Sequence, residues 1–179
     1  MPHWIALIRG INVGGHNKMP MAELRTTLES AGCCSVRTYI QSGNVVFTSP
    51  NQSKRKLVKH LGDTIEEYFG FRPAILLLSK DDFRTAVASN PFLDAIAAAK
   101  TLHFFFLDSA PRSPDIDALT KIATSTERFK LVDTVFYLHS PDGIGRSKLA
   151  AGVERKLGVP TTARNFRTIQ ALSEMLDAE

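Results

Sequence analysis

Two hairpin signals, each set between stretches of helical period, restrict this chain more than any other feature. In the first, Val36, Thr38 and Ile40 alternate with Arg37, Tyr39 and Gln41 as in a half-buried strand. Ser42-Gly43 makes a tight turn, and Asn44 to Thr48 returns as the partner strand. In the second, Arg128 to Val132 and Thr134 to His139 flank a turn at Asp133. Strands joined by so short a turn are neighbours in one antiparallel sheet, which leaves few ways to arrange what lies on either side.

Before the first hairpin come an apolar run, Trp4 to Arg9, and a helical repeat carried by Met21, Leu24, Leu28 and Ala31. Pro20 is expected at the first helical position and Gly32 at the stop. After it come a helix marked by Leu57, Val58, Leu61, Ile65 and Tyr68, closed by Gly70, and the apolar strand Ala74 to Leu78. The order is βαββαβ, a ferredoxin-like unit. The second half repeats it. Leu102 to Leu107 is a strand buried on both faces. Ser113 is expected to cap, and Pro114 to open, a helix bearing Ile116, Leu119 and Ile122. The second hairpin leads to a helix with Leu149, Val153 and Leu157, and then to a short edge strand at Thr161 to Ala163. Between the halves, a helix begins at the Ser79-x-x-Asp82 capping box and ends at Asn90-Pro91, followed by the alanine-rich Leu93 to Lys100. Asn165 is placed to cap a final helix with Phe166, Ile169, Leu172 and Leu176. The expectation is an α+β protein with two tandem ferredoxin-like subdomains, a linking helix and a C-terminal helix. Their limits are 1–79 for the first subdomain, 80–100 for the connection and 101–179 for the second, in one body with a cleft where the halves meet.

No stretch approaches the ~18 uninterrupted apolar residues of a membrane span, and the first residues lack the basic-then-apolar pattern of a signal peptide. Cys33 and Cys34 are adjacent, which disfavours a structural disulfide and favours a reducing compartment, so the expected location is cytoplasmic. The net charge is +4, and residues 140–168 alone carry +4, so the rest of the chain balances to zero. A local basic excess suits phosphate or nucleic acid.

The glycine loops carry the most chemistry. Arg9-Gly10-Ile11-Asn12-Val13-Gly14-Gly15-His16-Asn17-Lys18 follows a strand and precedes a helix. That arrangement leaves backbone N–H groups uncovered and points them, with the helix dipole, at an anion. Gly143-Ile144-Gly145-Arg146-Ser147-Lys148 repeats the logic, with cations in the first turn where they oppose the dipole unless an anion lies between them. Neither loop fits the GxxxxGK[ST] pattern of an ATP-binding P-loop. The histidines, His3, His16, His60, His103 and His139, show no metal-ligand spacing, no cofactor is implied, and no nucleophile has a visible base.

Several stretches together carry a resemblance: Arg9 to Gly15 with Asn17-Lys18, Pro20-Met21 and Leu24-Arg25; Tyr39 to Phe47; Asn90-Pro91-Phe92; Gly143 to Leu149; and Thr162 to Thr168. In that order they resemble the domain of unknown function 1697 family. The family usually has tryptophan where Phe166 stands and asparagine where Arg167 stands. The resemblance implies a bacterial-type cytoplasmic protein with two ferredoxin-like subdomains, and implies no reaction.

The leading expectation is a cytoplasmic protein that binds a phosphate-bearing ligand, a nucleotide or other small molecule or a nucleic-acid backbone, in the cleft between the two subdomains. Its site residues are Arg9, Asn12, Gly14, Gly15, Lys18, Gln41 and Asn44 from the first half, and Gly143, Gly145, Arg146, Ser147, Lys148, Arg164 and Asn165 from the second. Cations neutralise charge, amides orient and loop N–H groups complete the cradle. One alternative is an enzyme using Lys18, Lys148 or His16 in acid–base service on a small phosphorylated or carboxylated substrate. Another is that both loops are structural, with Asn12, Gln41, Asn44 and Arg164 tying the two subdomains together by buried hydrogen bonds, in a protein that acts through protein interactions. The sequence says nothing of oligomeric state.

Overall fold

The computed structural model describes residues 1–51 and 53–178. It divides into two compact units, Met1–Thr85 with Ala171–Glu179, and Ala86–Gln170. The first contains β1 (His3–Arg9), α1 (Met21–Ser30), β2 (Cys34–Tyr39), β3 (Asn44–Thr48), α2 (Lys54–Phe69) and β4 (Ala74–Ser79), which runs into α3 (Lys80–Ala88). The second contains β5 (Leu102–Leu107), α4 (Ile116–Ile122), β6 (Arg128–Val132), β7 (Val135–His139), α5 (Lys148–Leu157) and β8 (Thr161–Asn165), which runs into α6 (Phe166–Asp177). Both are mixed α+β units with a four-stranded antiparallel sheet, ordered β2-β3-β1-β4 in one and β6-β7-β5-β8 in the other.

β1 is central because it is apolar at every inner position. Trp4, Ala6 and Ile8 join Leu24 and Leu28 of α1 and Leu57, Leu61 and Ile65 of α2 in one core. Ile5 and Leu7, on the other face, are also fully buried, which explains the unbroken apolar run. In the second unit Phe105 and Leu107 pack with Leu119 of α4 and Leu149, Val153 and Leu157 of α5. Both hairpins form, the second turning at Asp133 (φ 50°) as expected, but the first turn is wider than Ser42-Gly43: β2 ends at Tyr39, and Ile40 (φ 48°) and Gln41 lie in the turn with Ser42 and Gly43 (φ 77°). Gly70 and Gly158 end α2 and α5 in the left-handed conformation, as expected of glycine just past a helix.

Other details also differ from expectation, β8 among them, which runs to Asn165 and not only to Ala163. Pro20 is the residue before α1, with ψ 133°, and the helix starts at Met21. Asp115, not Ser113, caps α4: its Oδ1 accepts from the Ala118 N–H at 3.0 Å, and a carboxylate is a stronger partner there than a hydroxyl. β2 begins earlier, at Cys34, because Ser35 (φ 52°) lies in a register shift between Cys34 and Arg37 that lets the strand resume pairing. The alanine-rich connection is a 3-10 turn, Leu93–Ala98.

Candidate functional site

The loop after β1 forms a small finger. Asn12 N donates to Asn17 O at 3.1 Å and His16 N to Val13 O at 3.0 Å, and Val13 pairs with His16. Gly14 (φ 57°) and Gly15 (φ 79°) occupy the turn between them, where a tight hairpin of this hand needs positive φ twice. The Asn17 side chain donates to Gly10 O at 2.9 Å and closes the base. The glycines therefore turn the finger, and Lys18-Met19-Pro20 separates it from the helix.

Asn12 links three segments. Its Nδ2 donates to Met19 O and to Gln41 O, both at 2.9 Å, while its Oδ1 accepts from Met19 N at 2.8 Å. This clamp holds the approach to α1 against the β2–β3 turn. A shallow, open depression of about 550 Å³ lies there. Its polar lining is Asn12, Lys18, Arg25 and Gln41, and its apolar lining is Met19, Pro20, Met21 and Ala22, with no acidic residue. Pro20 provides no side-chain cap, so the first N–H groups of α1 lack intrahelical partners, and the positive end of the helix dipole opens into the depression. Lys18 is exposed, and Arg25 is half-buried with Nη1 donating to Thr38 Oγ1 at 2.9 Å.

Of the first-half candidates, Asn12, Lys18 and Gln41 line this depression, while Arg9, Gly14, Gly15 and Asn44 do not. Arg9 is exposed at the end of β1, opposite Ala74. Asn44 is fully buried, and its Nδ2 donates to Tyr39 O at 3.1 Å and Ser42 Oγ at 2.9 Å, bracing the hairpin. Arg25 was not among the expected residues. Its signal is the spacing from Met21, one helical turn earlier, which puts it beside the helix start.

In the second unit the chain supplies its own anion. After Gly143 (φ 94°) a 3-10 turn, Ile144–Arg146, leads to Ser147, whose Oγ accepts from Ala150 N at 2.9 Å and caps α5. The same hydroxyl donates to the Glu127 carboxylate. Glu127 Oε1 also accepts from Ser140 Oγ at 3.1 Å, and Oε2 from Thr124 N at 3.0 Å. Partial burial works to raise the Glu127 pKa, and hydrogen bonds from Ser147, Thr124 and Ser140 together outweigh it and hold the carboxyl below its ordinary value. Glu127 had no place in the sequence expectation, being 20 residues from Ser147 in the chain. Gly145, Arg146 and Lys148 are exposed.

Arg164 donates from Nη1 to Ala163 O at 2.8 Å, and burial pushes its guanidinium down to about 10, still a cation at neutral pH. Asn165 Oδ1 accepts from Thr168 N at 3.0 Å and caps α6, as expected. Phe166 is buried, its ring 5.8 Å from that of Phe104, so it packs in the core. Asn90 Oδ1 accepts from Phe92 N at 3.1 Å, and the Phe92 ring lies 5.0 Å from the Arg128 guanidinium carbon.

Cys33 is buried and Cys34 exposed, both as free thiols. Burial, with the neighbouring Cys34, pushes the Cys33 thiol up to about 11. Among the described residues no group of three or more His, Cys, Asp or Glu is placed to hold a metal ion, and no helix is long and apolar enough to cross a membrane.

These features define an α+β protein of two units, each built on a four-stranded antiparallel sheet, with a basic depression at the start of α1 in the first. The family described as protein of unknown function (DUF1697) matches residues 1–137, and the chain belongs to it. It is similar to a solved structure, that of the conserved bacterial protein SP0830 from Streptococcus pneumoniae. The identity is 28%, 98% of each chain is covered, and the TM-score is 0.67. No curated protein matches the chain.

Proposed function

We propose that this protein binds a phosphate-bearing ligand in the depression at the start of α1. The observation that carries the reading is the lining itself: Lys18 and Arg25 beside an uncapped helix N-terminus, with no acidic residue among them. Phosphate is the anion such a site favours, because a helix start without a side-chain cap, its dipole and two cations all suit its oxygens. Gln41 is the amide that orients the ligand, and Asn12 holds the two walls in place. Replacing Lys18 and Arg25 together by alanine should leave the protein folded, with a loss of about 1 kcal/mol in urea unfolding for the Arg25–Thr38 hydrogen bond. The same double variant should remove the rise in melting temperature produced by pyrophosphate. Retention of that rise would refute the assignment.

For the Gly143 to Lys148 loop a structural reading is favoured, because the Glu127 carboxylate already meets the Ser147 hydroxyl at the α5 start. We further infer that both units are ferredoxin-like, since each runs βαββαβ and places its first strand between its third and fourth. Two free thiols fit a cytoplasmic location.

A further inference from the structure

Val13 and Ile40 are large apolar side chains left 69% and 53% exposed. Each is the immediate neighbour of a residue lining the α1 depression, Asn12 in one case and Gln41 in the other, and the Asn12 amide joins the two segments at 2.9 Å. Ile40 also has φ 48°. A β-branched residue in the left-handed region is a strained outlier, whereas asparagine tolerates that conformation far better. Ile40 is thus both exposed and strained, and strain of this kind gathers at binding surfaces.

The lining of the depression sets the charge of the partner. Lys18 and Arg25 line the depression and no acid does, while Glu23 stands in the first turn of α1 outside the lining; two cations match a phosphomonoester, at about −1.5 to −2, better than a carboxylate. The surroundings set its class. No aromatic side chain lines the depression, so nothing there offers bases a stacking platform, and nucleic-acid interfaces are much more densely cationic. Two exposed aliphatic side chains beside an arginine are instead the makings of a protein interface.

We propose that this face of the first unit docks an extended protein segment carrying a phosphorylated serine or threonine flanked by aliphatic side chains. The phosphate enters the depression against Lys18 and Arg25, and the flanking side chains cover Val13 and Ile40. The inference rests on the phosphate reading of the same depression.

The test is a titration of isotope-labelled protein, followed by NMR, with four probes. They are acetyl-Gly-Leu-phosphoserine-Leu-Gly-amide, its unphosphorylated form, inorganic phosphate and octathymidylate. The phosphopeptide should bind about tenfold more tightly than inorganic phosphate, perturbing residues 12–18 and 39–43, and the unphosphorylated peptide should not bind. Ile40→Asn should raise the melting temperature and weaken the phosphopeptide about tenfold while leaving phosphate affinity unchanged. A merely structural Ile40 would not show this opposition. Val13→Ser should weaken the phosphopeptide in the same way. Phosphopeptide binding no tighter than phosphate, or unaffected by Ile40→Asn, overturns the docking inference and leaves the anion site standing. If neither phosphate nor phosphopeptide binds, both readings fall. Tighter binding of octathymidylate at the same residues overturns the inference in favour of nucleic acid.

Discussion

Gly43 is the position at which the β2–β3 turn meets β1, and its replacement by alanine can be worked through in some detail. A Cβ built there would lie 2.8 Å from Ile8 Cβ, 2.9 Å from Ile11 Cδ1 and 3.0 Å from Ile8 O, on a residue whose φ is +77°. The left-handed conformation alone costs alanine roughly 1 kcal/mol. Relieving the contacts means displacing β1 or the turn, an overpacking cost of about 1–3 kcal/mol. It also strains the 2.8 Å bond from Ile8 N to Gly43 O, worth about 1 kcal/mol. Together these predict a loss of about 3–5 kcal/mol, a large share of the ~5–15 kcal/mol available to a domain. The control is Gly15→Ala: φ is +79° but nothing lies within 4 Å, so only the conformational cost of roughly 1 kcal/mol applies. Urea unfolding followed by circular dichroism measures both. If Gly43→Ala falls within about 0.5 kcal/mol of Gly15→Ala, the close approach to β1 has no energetic weight and the reasoning fails.

Other outcomes follow from single contacts. Tyr137→Phe removes the 2.6 Å hydrogen bond to Ala86 O in a buried setting, and should lower stability by about 1–2 kcal/mol in urea unfolding; a neutral result would mean another donor replaces it. The folded Glu127 pKa lies below its ordinary value, so its contribution is present above the unfolded pKa and lost as pH falls through the folded one. Glu127→Gln should therefore cost about 1 kcal/mol at pH 7, with the gap closing as the pH falls below the ordinary carboxylate range, and a gap independent of pH refutes this. Iodoacetamide at neutral pH should alkylate Cys34 and spare Cys33, which is buried with its thiol pushed up to about 11. Mass spectrometry showing equal labelling would contradict that assignment.

The strands were legible because their signals are local. Alternation from Val36 to Gln41, the apolar run of β1 and glycine or aspartate at the turns each report on a few adjacent residues. Helix starts were legible to within a residue or two. Ser113-Pro114 is a good cap signal, yet Asp115 outcompetes it, a contest between neighbours that pattern does not decide. The loops were harder, because glycine at positive φ looks the same in sequence whether it turns a finger, as at Gly14 and Gly15, or cradles a ligand. Arg25 reads as an ordinary surface residue until Pro20 is seen to leave α1 uncapped. The partnership of Glu127 with Ser147 had no local trace at all, since only the packing of the second hairpin beside α5 brings them together.

The last helix has a consequence for synthesis. Residues 171–179 group with the first unit, where Leu176 O accepts from the Lys80 ammonium at 2.9 Å and Asp177 pairs with Arg84 at 2.6 Å. Those partners emerge from the ribosome only after the whole of Ala86–Gln170 has been translated, a delay on the order of ten seconds at ordinary elongation rates. During that interval the nascent first unit has its sheet but not its closing segment. Stop codons placed before residue 171 should therefore destabilise the half of the protein that was made first.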